Sequence, residues 1–281
     1  MGIWALLILV YAIIKGLREG IKKKAMEKSS LTEVLFFYTL VAFLLQIPFA
    51  HNIFALTPWQ YFLIFIKSFI IFVAWICAFR CIRQMPVSLY CVLDQSRMLF
   101  SIALGMLILQ ETLQWWQYIG IAVVIAGLLM LNRGKNGEGQ KVRPQYIVLT
   151  LLSCLLNAIS GIMDKIYLRS METSQLQFWY MLFLTLLYLI YLLATRTKVQ
   201  WGTLRRNYWI PLLGLIFIIG DRALFVANAD PTSSVTTMTL IKQSSVLFSI
   251  LVGKIMFHEK QIGYRLLCAA IVIGGILLAV L

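Results

Sequence analysis

The sequence predicts an all-α integral membrane protein with ten transmembrane helices, arranged as two inverted repeats of five helices each. Composition is the first ground for this prediction. Of the 281 residues, 61% are hydrophobic and only 13% are charged, whereas about a quarter of the residues in a soluble protein are charged. Length is the second ground, since a span needs about 20 apolar residues and the chain has room for about ten such spans. The third ground is an internal repeat.

The repeat relates two segments that lie 148 residues apart. Residues 94–102 read Asp-Gln-Ser-Arg-Met-Leu-Phe-Ser-Ile and residues 242–250 read Lys-Gln-Ser-Ser-Val-Leu-Phe-Ser-Ile, so six of nine positions are identical. The front of each half repeats as well, because Gly16 matches Gly161 and Glu19 matches Asp164 at an offset of 145. Such self-similarity indicates two homologous units. We predict a first five-helix repeat at 1–131, a linker at 132–145 and a second five-helix repeat at 146–281.

Apolar runs bounded by polar residues place the predicted spans. They lie at about 2–22, 31–50, 59–80, 86–109, 113–131, 146–168, 174–195, 208–229, 233–256 and 262–281. The first run is the most polar, with Lys15, Arg18, Glu19 and Lys22 in its second half, and its match to the sixth run supports it. Because five is odd, the second half enters the membrane from the opposite side. Transporters built from such inverted repeats bind substrate near the bilayer midplane, between the repeats.

Basic residues are concentrated in alternate connections. Those after odd-numbered spans hold 16 Lys and Arg residues, whereas the even-numbered connections and both termini hold only Arg169. By the positive-inside rule, the odd-numbered connections are expected in the cytoplasm and both termini outside. We expect a multi-pass protein of the plasma (inner) membrane that contacts membrane lipids.

Several classes of function are disfavoured by composition and spacing. The net charge of +14 is explained by basic loops, and no basic module interleaved with aromatic residues predicts nucleic-acid binding. All five cysteines lie in apolar runs and the two histidines form no cluster, so we predict neither a metal site nor disulfides. No nucleotide-binding loop and no nucleophile constellation is present. We therefore expect no enzyme activity and no cofactor.

The fourth predicted span carries the main candidate binding site. Tyr90, Asp94 and Arg97 recur at helical spacing on one face, and the equivalent positions of the ninth span include Lys242 and Ser245. Asp94 and Lys242 both lie close to the predicted midplane, where an ionisable group costs about 3 kcal/mol. We predict a water-filled stripe that contacts a ligand, with Gln95 and Gln243 as neutral partners. The alternative is a set of ion pairs that only lock helices together.

Other polar residues are assigned more general roles. Asp164, Glu19 and Asp221 are candidate proton carriers, since burial raises the pKa of a carboxyl group. Glu111 and Glu259 stand where the next span begins, and a carboxylate in the first turn of a helix is favoured by the helix dipole. Gly120 and Gly127 let membrane helices approach closely. We predict structural roles for these last four residues.

The duplicated frame resembles a known family. Residues 110–120 read Gln-Glu-Thr-Leu-Gln-Trp-Trp-Gln-Tyr-Ile-Gly, and His258-Glu259 stands at the equivalent place in the second half. Each segment follows a Gly-containing span and leads into a Gly-rich one. This arrangement resembles the drug/metabolite transporter superfamily, and within it the EamA-type transporters. The resemblance implies a ten-span bundle with a central cavity lined by spans three, four, eight and nine and by parts of spans one and six, and both termini in the cytoplasm. The charge count predicts the reverse orientation.

These observations together predict a secondary active transporter that moves a small polar, zwitterionic or anionic metabolite by alternating access. A coupling proton is a possible second partner. Related sugar-phosphate translocators use basic residues of the fourth and ninth spans, where Arg97 and Lys242 fall. The alternatives are a flippase for a lipid-linked substrate, which needs a lateral opening between spans, and a membrane scaffold that transports nothing.

Overall fold

The computed structural model describes residues 3–50, 53–109, 114–133, 143–167, 170–197, 199–229 and 241–280. In this part of the chain all regular secondary structure is helical. The all-α prediction is confirmed for these residues. The helices are α1 (Ile3–Lys28), α2 (Leu31–Gln46), α3 (Pro58–Gln84), α4 (Val87–Leu93), α5 (Ser96–Leu109), α6 (Trp115–Arg133), α7 (Pro144–Tyr167), α8 (Thr173–Ala194), α9 (Trp201–Arg206), α10 (Trp209–Ala229), α11 (Ser245–Phe257) and α12 (Ile262–Val280).

Local sequence signals explain where several helices begin. Ser30 accepts a hydrogen bond from the Glu33 backbone N–H, and Glu33 returns one to the Ser30 backbone, which makes a capping box at the start of α2. Thr57 and Gln60 form the same motif before α3, with a proline as the first helical residue. These caps satisfy backbone N–H groups that have no partner within the helix. Polar residues between apolar runs therefore set the boundaries.

Five segments of the described chain are long and apolar enough to cross a membrane. They are Leu31–Phe49, Pro58–Gln84, Val87–Ile108, Pro144–Asp164 and Thr173–Ala194. Two shorter apolar helices, Trp115–Met130 and Ile262–Leu278, accompany them. The protein is therefore a multi-pass membrane protein by the character of its helices. The end of the first predicted span, at about residue 22, differs from the structure, because α1 continues to Lys28.

The fourth predicted span is not one continuous helix. It is divided into α4 and α5 by a turn at Asp94 and Gln95. Across the break, backbone hydrogen bonds join residues that are three rather than four positions apart. Arg97 N donates to Asp94 O at 3.2 Å, and Met98 N donates to Gln95 O at 2.9 Å. The predicted span at 86–109 is therefore found as Val87–Ile108, with an internal break that the sequence does not predict. At the equivalent place in the second half, Ser244 forms a turn before α11, and residues 230–240 lie outside the described chain.

The helices pack in a pattern that is unchanged when the two halves are exchanged. Helix α1 packs on α10 and α11, and its counterpart α7 packs in the same way on α3 and α5. Helix α2 packs on α10, and its counterpart α8 packs on α3. Two further contacts join counterparts directly, namely α6 with α12 and α2 with α8. Helix α4 of the first half also packs on α11 of the second.

Hydrogen bonds between residues distant in sequence show which helix ends lie together at each of two opposite faces. At one face Lys23, near the end of α1, donates to the Met85 carbonyl beyond α3 at 2.8 Å. This face carries the basic residues near the ends of α1 and α3, and we call it the basic side. At the opposite side Gln60, near the start of α3, donates to the carbonyl of Ser170 before α8 at 3.1 Å.

Glycines allow α6 and α12 to approach closely. A Cβ on Gly275 would lie 2.8 Å from the carbonyl oxygen of Gly120 and 2.7 Å from the backbone nitrogen of Val124, and one on Gly127 would lie 2.8 Å from a Val272 methyl. Both predicted structural glycines therefore lie at this interface. Glu111, the other structural candidate in this half, lies outside the described residues.

Candidate functional site

A cavity of about 420 Å³ lies between helices of both halves. Its described lining comes from α1, α3 and α5 of the first half and from α7, α8 and α10 of the second. A narrower extension of about 60 Å³ continues toward the basic side, where Lys22 and Phe79 line it. Four residues line both parts, namely Arg18, Trp75, Arg97 and Asn157. We call the two parts together the central cavity.

The wide part of the central cavity contains two carboxylates with different partners. Asp164 Oδ1 lies 3.0 Å from Lys67 Nζ, and this ammonium also lies 3.8 Å from the centre of the Tyr180 ring. Asp221 Oδ2 accepts a hydrogen bond from Gln177 Nε2 at 3.3 Å. Asp164 is therefore held by an ion pair, whereas Asp221 is held by an uncharged amide.

The narrow part is dominated by the second half of α1. Lys15, Arg18 and Lys22 recur at three- and four-residue spacing and therefore share one face of the helix, and all three line the narrow part. Glu19 accepts two hydrogen bonds from Lys22 Nζ, at 2.7 and 2.9 Å. Arg18 Nε lies 3.7 Å from the same carboxylate, is buried and has no hydrogen-bond partner among the described residues.

The interrupted fourth span contributes three residues to the narrow part. Tyr90 comes from α4, Asp94 from the turn and Arg97 from the first turn of α5, and all three line the narrow part. The thiol of Cys154, on α7, lies 3.6 Å from the Asp94 carbonyl oxygen. No described carboxylate lies within ion-pair distance of the Arg97 guanidinium. The charged side chains of Asp94 and Arg97 therefore both line the cavity next to the break.

The other four predicted binding residues do not line the central cavity as described. Gln95 is buried in the turn and donates to the Cys91 carbonyl of α4 at 3.3 Å. Gln243 Nε2 lies 3.8 Å from a methionine sulfur. Ser245 is only 2% exposed at the contact between α1 and α11. Lys242 is partly buried in the short helical segment before α11. Their assignment to a binding site stays a prediction.

The charges on the cavity wall give a small positive excess. The described lining holds five cations, Lys15, Arg18, Lys22, Lys67 and Arg97, and four carboxylates, Glu19, Asp94, Asp164 and Asp221. Lys22 and Lys67 have close carboxylate partners. Arg18 and Arg97 line both parts, so their guanidinium groups lie where the wide and narrow parts meet. This junction can bind an anionic group, and Asp221 can bind a cationic one.

Sequence reasoning underrated the contribution of α1. Of the charged residues of α1, the sequence analysis gives a functional role only to Glu19, although the spacing of Lys15, Arg18 and Lys22 is a signal for one basic helix face. That signal was available from the sequence. Aromatic residues of the wall, such as Tyr180, gave no signal because the chain contains many similar ones. Membrane helices with a basic face buried inside the protein usually line an aqueous path.

Glu259 has a structural contact at the basic side, but with a different helix from the one expected. Its carboxylate accepts hydrogen bonds from the backbone N–H groups of Val87 and Ser88, at 2.5 and 3.2 Å, and from the Ser88 hydroxyl. Arg265 Nη1 donates to the same carboxylate at 2.8 Å. Glu259 therefore caps α4 of the first half rather than the helix that follows it. We call these four residues the Glu259 clamp.

The described residues contain no group of three or more His, Cys, Asp or Glu side chains that could hold a metal ion. The five cysteines are all buried and unpaired with one another.

Comparison with known proteins agrees with this architecture. The model of the EamA-like transporter family matches residues 2–133 and 145–281. Twenty-three chains of solved structures match. One, described only as "Crystal structure of protein", superposes with a TM-score of 0.58 at 13% identity, covering 96% of this chain and 98% of that chain. That likeness concerns the fold alone. A search of curated proteins finds none that matches. Because the family model matches nearly the whole length, the chain belongs to the EamA-like transporter family, in the drug/metabolite transporter superfamily.

Proposed function

We propose that the protein is a secondary active transporter whose substrate binds in the central cavity and crosses the membrane by alternating access. The observation that carries the proposal is a cavity of about 420 Å³ whose charged wall is built from helices of both halves. Ionisable side chains inside a membrane protein are costly and usually mark a substrate or ion path. A scaffold with no substrate would gain nothing from so many charges around an open space.

The packing pattern supports an arrangement of ten spans in two inverted five-helix repeats. Exchanging the halves maps the contacts of α1 onto those of α7, and the contacts of α2 onto those of α8. A pseudo-two-fold axis that lies in the membrane plane produces this exchange when the second half has the opposite orientation. Such an axis also makes inward-open and outward-open states structurally equivalent, which is the basis of alternating access in repeat-built transporters.

The described state has its wide opening on the opposite side from the basic connections. The Asp164 side chain, in the wide part, is 37% exposed, whereas those of Glu19 and Lys22, in the narrow part, are 11% and 12% exposed. On the basic side the Glu259 clamp ties the start of α4 to the connection between α11 and α12. We infer that this clamp belongs to the closed gate, and that it loosens when the basic side opens.

The substrate class follows from the junction of the two parts. Arg97 lines the wall there with no described carboxylate within ion-pair distance, and the buried Nε of Arg18, 3.7 Å from Glu19, has no hydrogen-bond partner among the described residues. An anionic group placed between the two guanidinium groups gains two charge-assisted partners. Asp221 lies in the wide part and offers a site for an amino or hydroxyl group. The volume suits a metabolite at the small end of the usual range for ligand pockets, about 300–1,000 Å³. We propose a small zwitterionic or anionic metabolite.

A coupling proton is the simplest second cargo. Asp164 is paired with Lys67 and faces the wide opening, so its protonation would release the ammonium to the substrate or to Asp221. Protonation can drive transport only if it favours one access state over the other. Glu19, held by Lys22 and near Arg18, is a less accessible carrier.

The test combines a thermal-shift screen with flux measurements in proteoliposomes. The screen covers amino acids, amines, phosphorylated sugars and lipid headgroups, and the compound that stabilises the protein most is then followed as a radiolabelled substrate. We expect Arg97→Gln and Asp94→Asn to reduce flux at least tenfold. Arg206→Gln, an exposed change outside the cavity, should leave flux unchanged. Equal flux through all four proteins would refute the assigned site.

A further inference from the structure

A second, separate cavity of about 250 Å³ lies at the basic side. It is lined by Leu31 and Thr32 at the start of α2, by Arg80, Arg83 and Gln84 at the end of α3, by Tyr146 at the start of α7 and by Tyr191 near the end of α8. None of these residues lines the central cavity. We call it the arginine pocket.

The arginine pocket has two positive charges and no negative charge in its described lining. Arg80 Nη2 donates to the Tyr191 hydroxyl at 3.3 Å, which fixes the guanidinium without neutralising it. No described carboxylate lies within ion-pair distance of Arg80 or Arg83. The carboxylate next in sequence to the lining, Glu33, is buried and accepts instead from Ser30 N at 2.8 Å and Gln200 N at 3.0 Å.

The helix directions add to the positive potential. Helices α2 and α7 both begin at this pocket, and the start of a helix carries a partial positive charge. Planar guanidinium groups bind phosphate oxygens through two parallel N–H donors. The chemistry that fits the arginine pocket is therefore a phosphate group.

The position of the pocket favours a phosphate that belongs to a lipid. Both arginines lie in the last turns of an apolar helix, at the level where the phosphates of a bilayer begin, and tyrosines are typical of that level. Helix α8 also presents an exposed apolar stripe next to Tyr191, at Leu186, Ile190 and Leu193, whose residues are 44%, 62% and 68% exposed. This stripe offers a surface for an acyl chain.

We propose that the arginine pocket binds the phosphate of an anionic lipid headgroup, with an acyl chain along α8. The site joins α2, α3, α7 and α8, which belong to both halves. Lipid bound there stabilises the packing of the two halves at the basic side. Basic pockets between membrane helices at this level are suited to such headgroups.

The test compares two pairs of arginines in the full-length protein. Arg80→Gln/Arg83→Gln removes the pocket charges, and Arg205→Gln/Arg206→Gln removes two exposed charges from α9. Helix α9 lies in the connection between α8 and α10, which the charge count places on the same side of the membrane as the other basic connections. Each purified protein is titrated with phosphatidylglycerol in detergent. Thermal unfolding gives the Tm at each lipid concentration, and native mass spectrometry measures the lipid that the protein retains. Phosphatidylcholine and sodium phosphate serve as parallel additions.

We expect phosphatidylglycerol to raise the Tm of the unchanged protein and of the α9 variant. In the pocket variant we expect retained phosphatidylglycerol to fall at least fivefold, and Arg80→Lys/Arg83→Lys should recover part of the loss. Equal retention by the pocket variant would overturn the proposal, as would an equal loss in both glutamine variants, which indicates general surface charge. Sodium phosphate that reproduces the shift and displaces the lipid would identify a soluble anion as the occupant and refute the lipid assignment.

Discussion

Replacing Glu259 with glutamine should destabilise the protein far more than a typical change near a helix end. The carboxylate accepts four hydrogen bonds, from Val87 N, Ser88 N, Ser88 Oγ and Arg265 Nη1. The side chains of Glu259 and Arg265 are only 7% and 9% exposed. Glutamine keeps one acceptor oxygen but turns an NH₂ group toward N–H donors, and it leaves the Arg265 charge without a counter-charge.

The magnitude follows from these contacts. Removing one partner of a buried ion pair costs about 3–5 kcal/mol, and glutamine retains part of the hydrogen bonding, so we expect a loss of about 3 kcal/mol. At roughly 2–4 °C per kcal/mol for a chain of this size class, the Tm should fall by about 6–12 °C. The assay is thermal unfolding of the purified protein in one detergent, with tryptophan fluorescence as the signal.

The matched control is Arg265→Met, which removes only one of the four donors. Glu259 would still cap α4, and a carboxylate at a helix start is favourable by itself. We therefore expect Arg265→Met to cost less than half as much as Glu259→Gln. Equal Tm values for Glu259→Gln and the unchanged protein, or a larger loss in Arg265→Met, would refute the clamp as described here.

Two further predictions concern repeat-related glycines and the ion pair of the wide part. Gly16→Ala should cost about 1–3 kcal/mol through overpacking, because its Cβ would lie 2.5 Å from Phe248 Cβ. Gly161→Ala, at the matching position, should be tolerated, since no atom lies within 4 Å of its Cβ; equal Tm losses would contradict this. Asp164→Asn should cost about 1–2 kcal/mol, less than for a fully buried pair, because its side chain is 37% exposed. Adding Lys67→Met to Asp164→Asn should restore part of that loss. Losses that add in the double variant would refute the ion pair as the cause.

Much of the fold could be predicted from the sequence because membrane helices leave a strong local signal. Apolar runs and the internal repeat located the described helices to within a few residues in most cases. The break at Asp94 was not predicted, since neither glycine nor proline marks it. Its backbone is held by contacts from another helix, such as that of Cys154 with the Asp94 carbonyl, and these contacts have no local signature.

The candidate site was predictable in part for the same reason. Asp94 and Arg97 stood out as charges inside an apolar run, and both line the central cavity. The basic face of α1 is visible in the spacing, but the sequence does not separate a place at the rim of the cavity from anchoring at the membrane interface. The partner of Glu259 could not be predicted, because it lies 172 residues away in the chain.

The direct test of alternating access through the central cavity is side-specific labelling of Gly161→Cys. Gly161 lines the wide part and has open space at its Cβ, and the native cysteines are buried. The reference variant is Gly202→Cys, an open position on α9 near the basic side. Both cysteine variants are treated with a membrane-impermeant thiosulfonate in sealed vesicles of known orientation. We predict that Gly161→Cys reacts from the face opposite to Gly202→Cys, and that the most stabilising metabolite of the thermal-shift screen slows the reaction severalfold. Labelling from the same face as Gly202→Cys, from neither face, or at a rate that the metabolite does not change would contradict the proposed transport site.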